Sequence, residues 1–359
     1  MKRRSVLKQV AGAVISAGLI FGAQATKADD VNVGFVYVGP VGDHGWTYRH
    51  DEGRKAVEKE LGVKTTFVES VAEGADAERV IRTLATSGNN IIFTTSFGYM
   101  NPTLKVAKQF PNVNFEHATG YKRADNVSTY SARFYEGRAI LGTIAGHMSK
   151  SGVVGYIASF PIPEVVRSIN AFMLAMRKVN PDAIIKVVWV NSWYDPGKEG
   201  DAAKALIDQG ADIITQHTDS PAPLQVAEQR GVYAFGQASD MSAFAPKAQL
   251  TATIDDWNPY YVARVKAAME GNWSSTDTWD GLKEGMVGMA PYGDVVPADV
   301  RAAADAVKAS IIDGSFHPFQ GPINNQAGET VVKAGETLDD GALLGMDWYV
   351  EGIQGQLPN

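Results

Sequence analysis

The most constraining feature of this sequence is its alternation of short β-branched apolar runs with amphipathic stretches of helical length. The alternation begins with a predicted strand at 31–38 and a predicted helix at 45–61, and it continues to about residue 237. Short apolar runs between amphipathic helices indicate parallel strands that are covered by helices on both faces. The sequence therefore predicts an α/β fold.

The alternation occurs twice in series, without a low-complexity linker between the halves. A chain of 359 residues is long enough for two hydrophobic cores. We predict two doubly wound parallel-sheet lobes joined by several short crossings, which form a hinge beside a cleft. The sequence after residue 254 breaks the alternation, and we expect it to return to the first lobe and then cross back. The predicted boundaries are a signal peptide at 1–28, a first lobe at 29–149 plus 255–323, and a second lobe at 150–254 plus 324–359.

The first 28 residues have the order of a secretory signal. Lys2, Arg3 and Arg4 precede an apolar run at 10–21, and small residues follow at 23–28. The apolar run has about 12 residues, whereas a membrane-spanning helix needs roughly 20. The arginine pair fits either a twin-arginine signal or the basic start of an ordinary one. We predict a cleaved signal and a mature protein in the periplasm.

Composition excludes several classes of protein. The chain has no cysteine, which rules out disulfides, thiolate metal sites, cysteine nucleophiles and lipidation on an amino-terminal cysteine. A lipid anchor of that kind is therefore not expected. Removal of the five basic residues before position 29 leaves 28 basic and 40 acidic side chains. Such a surface repels phosphate backbones, so nucleic acid is not an expected partner.

Motifs for catalysis or cofactor binding are weak throughout the sequence. The glycines at 39, 42 and 45 lack the spacing of a dinucleotide loop, and there is no Walker-type lysine loop. The six histidines form no ligand pair at helical spacing. Asp255 and Asp256 would point apart in a strand, so one of them is expected to cap the helix that follows. We predict no enzyme activity, no cofactor and no metal.

The segments that follow the predicted strands carry aromatic and acidic residues. In open parallel sheets, ligands bind beyond the carboxyl ends of the strands. Aromatic rings from both lobes with carboxylates and hydroxyls between them suit one flat polar ring, although any single ring here could instead cap a lobe's core. The candidate ligand-binding residues are Asp43, Trp46, Phe97, Tyr99, Trp193, Thr218, Asp219, Asp240 and Trp257.

Several motifs, in order along the chain, resemble the basic membrane protein family of substrate-binding proteins. These motifs are Val33-Gly34-Phe35, Gly42-Asp43-x-x-Trp46, the Tyr48–Gly53 segment, Asp195-Pro196, Leu206-Ile207-Asp208-Gln209-Gly210-Ala211-Asp212, Gly231–Gly236 and Ser239-Asp240. The resemblance extends from about residue 31 to residue 271. The best-known members of the family resemble purine nucleoside receptors of ABC importers.

The resemblance implies a type I periplasmic-binding fold that closes on a purine. It implies that Trp46 and Trp193 stack on the base and that Asp240 reaches the ligand. One departure from the family is Thr47, which stands where asparagine is usual. Another is Asp255, which stands about where a lysine reaches the ribose of a nucleoside. An acid there, followed by Trp257, would contract the sugar end of the pocket, so we expect a free base such as adenine to be bound.

The resulting functional prediction is a monomeric receptor that delivers a purine to an ABC permease in the inner membrane. A purine nucleoside receptor is one alternative. A ligand sensor for a membrane signalling partner is another, and the sequence does not separate an importer from a sensor. A periplasmic nucleoside hydrolase is a further alternative, but Asp29 and Asp30 are a poor match to the clustered calcium-binding aspartates of such an enzyme.

Overall fold

The computed structural model describes residues 31–358, so the predicted signal peptide lies outside the described part of the chain. The strands are β1 (Asn32–Val36), β2 (Lys64–Val68), β3 (Ile91–Thr94), β4 (Asn114–Ala118), β5 (Val127–Ala132), β6 (Val153–Ala158), β7 (Ile184–Trp189), β8 (Ile213–His217), β9 (Tyr233–Gly236), β10 (Gln249–Asp255), β11 (Asp277–Asp280), β12 (Val287–Met289), β13 (Ile323–Asn324), β14 (Thr330–Val332) and β15 (Ile353–Gln354). The helices are α1 (Trp46–Leu61), α2 (Ala75–Thr86), α3 (Met100–Ala107), α4 (Phe134–Met148), α5 (Pro163–Val179), α6 (Pro196–Asp208), α7 (Ala222–Arg230), α8 (Asn258–Met269), α9 (Ala298–Ile312) and α10 (Asp340–Leu344).

The first lobe is built on a six-stranded sheet in the order β2-β1-β3-β4-β5-β11, and every neighbouring pair in it is parallel. The apolar run that forms β1 is buried on both sides, with Val33 and Phe35 facing one core and Val36 the other. This double burial is the reason why the strand reads as continuously apolar rather than alternating. The predicted α/β class and parallel sheets are confirmed.

The second lobe is built on a seven-stranded sheet in the order β12-β10-β9-β8-β6-β7-β15. All its pairs are parallel except β12 with β10. In the first sheet β1 lies between β2 and β3, and in the second sheet β6 lies between β7 and β8, so the strand order reverses beside β1 and beside β6. These reversals are where a doubly wound sheet leaves a crevice for a ligand.

The chain crosses between the two sheets three times, after β5, after β10 and after β11. The predicted boundaries placed α4 and residues 287–323 in the first lobe, and the structure corrects both assignments. α4 packs against α5 and α9, and β12 pairs with β10, so these elements belong to the second lobe. The error arose because an amphipathic pattern identifies a buried face without indicating which sheet will cover it.

The tail after α9 lies on the second lobe. β13 and β14 form a small antiparallel hairpin, and β15 adds to the edge of the second sheet beside β7. The sequence predicted neither β11 nor α10. No helix between residues 31 and 358 is both long and apolar enough to cross a membrane.

Candidate functional site

A cavity of about 20 Å³ lies between the carboxyl ends of the strands of the two lobes. This volume is far below the range for small-molecule pockets, about 300–1,000 Å³, so the two lobes nearly fill the space between them. We refer to it as the central cavity. It is lined by Val38, Trp46, Ser96, Phe97, Thr119, Glu164, Trp193, His217 and Asp219.

Three aromatic rings from both lobes face this cavity. Trp46 begins α1, and its indole Nε1 donates to the carbonyl oxygen of Thr95 at 2.7 Å. Phe97 follows β3 in the first lobe, whereas Trp193 follows β7 in the second. All three were predicted to contact the ligand because they follow strand ends. Their arrangement provides apolar faces on which a flat ring can stack.

The two lobes are in direct contact around the cavity. The Nε1 of Trp193 donates to Oε1 of Glu73 at 3.2 Å, which joins the second lobe to the first. The same Glu73 oxygen accepts from Ser96 Oγ at 2.6 Å and from the amide of Gly98 at 3.1 Å. Glu73 therefore fixes the loop that carries Phe97 and anchors Trp193 above it. This geometry is that of a closed cleft.

Further contacts close the rim of the cleft. Ser239 of the second lobe donates to the carbonyl oxygen of His44 in the first. Arg49 of α1 donates from Nε to the carbonyl oxygen of Asp255 at 2.6 Å, where β10 ends and the chain crosses. Each of these bonds joins a side-chain donor to a backbone acceptor.

Left-handed backbone conformations are concentrated at this edge of both sheets. Every non-glycine residue with positive φ between positions 31 and 358 lies in a segment that follows a strand of one of the two sheets. These residues are His44, Ser70, Thr119, Asn191 and Ala238, with φ between 51° and 61°. Each such conformation costs about 1–3 kcal/mol and is typical of segments that shape a binding site. Thr119 lines the cavity itself.

Two of the predicted polar ligand contacts, Asp43 and Thr218, do not line the central cavity. Both carboxylate oxygens of Asp43 accept from backbone amides at the start of α1, those of Gly45, Thr47 and Tyr48, at 2.8–2.9 Å. Asp43 is thus fully buried as a helix cap. Thr218 is also fully buried and does not line the cavity. Asp219, the next residue, does line it.

Three other predicted residues also lie outside the cavity lining. Tyr99 is buried in the first lobe, where its hydroxyl donates to the carbonyl oxygen of Val71 at 2.6 Å. Asp240 accepts from the Ser242 amide and the Gln249 side chain within the second lobe, and these bonds hold its pKa below its usual value. Trp257 is fully buried behind Trp46, with the two rings edge to face at 5.5 Å.

Asp255, the position of the expected family lysine, also lies behind the cavity wall. Its side chain is buried, and desolvation raises its pKa to about 8 while the charges of Arg49 and Arg138 oppose that shift. Because neither Asp255 nor Trp257 lines the central cavity, the expected contraction of a sugar pocket by these residues is not what limits its size.

Sequence reasoning missed two ionisable residues in the cavity wall, Glu164 and His217. Glu164 lies in the first turn of α5, and His217 is the last residue of β8. His217 is therefore at the carboxyl end of a strand, whereas Glu164 lies one turn into the helix that follows β6. Extending the strand-end rule by one helical turn would have found Glu164.

A second cavity of about 450 Å³ opens beside the central one, and Phe97, Thr119 and Glu164 line both. We refer to it as the side cavity. Its wall includes Arg167 of α5 and Trp279 of β11. The two cavities together form a polar-edged cleft with aromatic faces, and the described residues contain no group of three or more His, Asp or Glu side chains placed to hold a metal ion.

Comparisons with known proteins show which family this chain resembles. A purine-binding protein of Brucella abortus is 59% identical over 95% of this chain and 98% of its own length. A Haloferax volcanii protein, provisionally named an ABC transporter glucose-binding protein, is 37% identical over 94% of this chain and 84% of its own. The solved structure of an ABC transporter solute-binding protein from Aeropyrum pernix has a TM-score of 0.70 at 19% identity and covers 87% of this chain and 95% of its own.

The expected fold type is confirmed by these neighbours, since the last comparison shows a periplasmic-binding fold independently of sequence. The expectation of a binding protein rather than an enzyme is confirmed by the family and its relatives. Residues 30–316 match the family described as ABC transporter substrate-binding protein PnrA-like, which covers most of the chain. This protein therefore belongs to the PnrA-like family of ABC transporter substrate-binding proteins.

Proposed function

We propose that this protein captures a purine nucleobase, adenine or a related base, in the central cavity and delivers it to an ABC permease of the inner membrane. The observation that carries the proposal is the set of aromatic faces contributed by both lobes, Trp46 and Phe97 from one and Trp193 from the other. Stacking a base on an aromatic side chain contributes roughly 1–3 kcal/mol. The similarity to a purine-binding protein supports the same ligand class.

The mechanism is closure of the hinge on the ligand. A ring bound between the lobes contacts both, so it stabilises the closed arrangement relative to the open one by its difference in affinity for the two. The closed state already has the contacts that join the lobes, including the bond from Trp193 to Glu73. The closed pair of lobes then offers the permease a surface that the open form lacks.

The side cavity favours one alternative function, that of a purine nucleoside receptor. The side cavity opens off the central one at Phe97 and Thr119, so a sugar attached to a bound base could extend into it. The central cavity is much the smaller of the two, which favours the base alone as the part that contacts the aromatic rings. A sensor that transmits closure to a membrane signalling protein would use the same site.

The test is isothermal titration of the mature protein after unfolding and refolding to remove bound ligand. The panel is adenine, guanine, hypoxanthine, xanthine, adenosine, guanosine and glucose. We expect tight binding of at least one base and at least tenfold weaker binding of its nucleoside. Equal binding of base and nucleoside would support the alternative receptor, whereas binding of glucose alone would overturn the purine proposal. Co-purification with an ATPase and permease encoded nearby distinguishes an importer from a sensor.

A further inference from the structure

Glu164 and His217 form a pair in the wall of the central cavity. Oε1 of Glu164 and Nε2 of His217 are 3.5 Å apart, and the two side chains are only 10% and 7% exposed. His217 is the last residue of β8, and Glu164 lies in the first turn of α5. Both atoms of the pair are therefore carried by rigid elements of the same lobe.

The surroundings of His217 favour the neutral form of its imidazole. Burial lowers its pKa, and the nearby charges of Arg138 and Arg167 lower it further, against the opposing effect of Glu164. A neutral imidazole has one N–H donor and one acceptor nitrogen. Which nitrogen holds the proton is determined by the partner that each nitrogen faces.

The carboxylate of Glu164 determines this choice. An ionised carboxylate can only accept hydrogen bonds, so it stabilises the proton on the nitrogen that faces it, Nε2. The opposite tautomer would direct the lone pair of Nε2 at the carboxylate. With the proton on Nε2, Nδ1 of His217 is an acceptor. Nδ1 is buried and has no hydrogen-bond partner among the described residues.

We propose that Glu164 acts as a positioning residue that holds His217 in the Nε2–H tautomer, so that Nδ1 accepts a hydrogen bond from an amino group of the bound purine. This inference rests on the proposed function. A 6-amino purine supplies the donor that Nδ1 lacks. A 6-oxo purine places an acceptor there and leaves two buried acceptors facing each other, which weakens its binding by about 5- to 150-fold. The pair thus selects amino over oxo purines.

The tautomer is measured directly by ¹⁵N NMR of histidine-labelled protein, with the His217 signals assigned from a His217→Gln variant. We expect the wild type at pH 7.5 to show a protonated Nε2 and an unprotonated Nδ1. A protonated Nδ1, or a charged imidazolium, overturns the inference. This readout does not need a ligand, so it is separate from the proposed function, which fails if no purine on the panel binds.

Selectivity is measured by titrating adenine and hypoxanthine into Glu164 variants. Glu164→Leu removes the carboxylate that faces Nε2 of His217. Either tautomer of His217 can then form, according to the hydrogen bond that the bound base offers. We expect the preference for adenine over hypoxanthine to fall by about tenfold or more. Glu164→Gln, whose amide can present either its oxygen or its nitrogen, should give an intermediate preference. A uniform loss of affinity for both bases, with the preference unchanged, overturns the role of Glu164.

Glu136→Leu is the matched control for this series. Glu136 is also a largely buried glutamate in the first turn of a helix, α4, where it accepts from the amide of Leu282 at 2.7 Å. Its replacement removes a buried carboxylate and lowers stability, but Glu136 does not line the central cavity. We expect the preference between adenine and hypoxanthine to be unchanged in this variant. An equal change in both variants would assign the effect to stability.

Discussion

Gly45 of the first lobe lies directly against Asp219 of the second. A Cβ atom at position 45 would be 2.6 Å from the carbonyl oxygen of Asp219 and 3.0 Å from its Cα atom. Both of these are backbone atoms and cannot turn away, so the closed arrangement has no room for any side chain at this point. Full closure of the cleft therefore requires glycine at position 45.

We predict that Gly45→Ala weakens purine binding by about tenfold or more while leaving the fold intact. The added methyl group must push the lobes apart in the closed state and meets no such obstacle once the cleft opens, because Asp219 belongs to the other lobe. The effect is measured by isothermal titration, and by small-angle scattering of the ligand-saturated protein, which should have a larger radius of gyration than the wild type.

Gly42→Ala is the control for this prediction. Gly42 lies in the same segment, but a Cβ atom there would have no neighbour within 4 Å. We expect its affinity to stay within about twofold of the wild type. If Gly45→Ala binds purine as tightly as Gly42→Ala does, the closed arrangement of the lobes is not the one that holds the ligand.

Closure should also be coupled to uptake of a proton at Asp219. Burial raises the pKa of Asp219 well above its usual value, and the charges of Asp43 and Glu199 raise it further. In the open cleft the carboxyl group regains solvent, and its pKa falls back toward about 4. In the interval between these two pKa values, the closed state holds a proton that the open state has lost, so affinity decreases as pH rises.

We therefore expect purine binding to be tighter at pH 5.5 than at pH 7.5. Titrations in buffers with different ionisation enthalpies should show net proton uptake on binding. Asp219→Asn, which cannot titrate, should flatten the pH dependence. Affinity that is independent of pH, or that rises with it, would show that Asp219 does not change its environment when the cleft closes.

Much of the fold could be predicted because periodicity reports burial directly. The helix predicted at 45–61 agrees with α1 to within one residue, and the strand predicted at 31–38 contains β1. Short edge elements are different, because pairing rather than pattern defines them. β11 has the polar sequence Asp277–Asp280 and exists as a strand because it pairs with β5. Nothing in those four residues alone indicates that pairing.

The candidate site was predictable only as a region. Four of the nine proposed residues line the central cavity, and their contact with a ligand stays a prediction. The rule that ligands bind at strand ends identifies the segments but not the direction of each side chain. Phe97 and Tyr99 are two residues apart, yet one lines the cavity and the other is buried in the core. A turn between them decides the direction, and sequence alone does not define its geometry.

The bond from Trp193 to Glu73 should contribute to affinity rather than to stability of either lobe. We predict that Trp193→Phe, which keeps an aromatic ring but loses the indole donor, weakens binding by about fivefold, equivalent to about 1 kcal/mol. Trp273→Phe is the control, because the Trp273 indole donates to Glu116 within the first lobe, at 2.7 Å. That variant should lose thermal stability without losing affinity. The opposite pattern would place the functional contact elsewhere.

Glu116 is a fully buried carboxylate that accepts a hydrogen bond from Nε of Arg264 in α8 at 2.5 Å. Burial raises the pKa of Glu116, and Arg264 opposes that shift. Arg264→Met leaves the buried charge without its cation, so we expect a loss of about 3–5 kcal/mol in the free energy of unfolding in urea. Arg230→Met removes a cation from an exposed pair with Asp208 and should cost less than about 1 kcal/mol. A second change, Glu116→Gln, should restore part of the stability of Arg264→Met. Equal losses of unfolding free energy in Arg264→Met and Arg230→Met would show that the ion pair between Glu116 and Arg264 does not stabilise the packing of α8 on the first lobe.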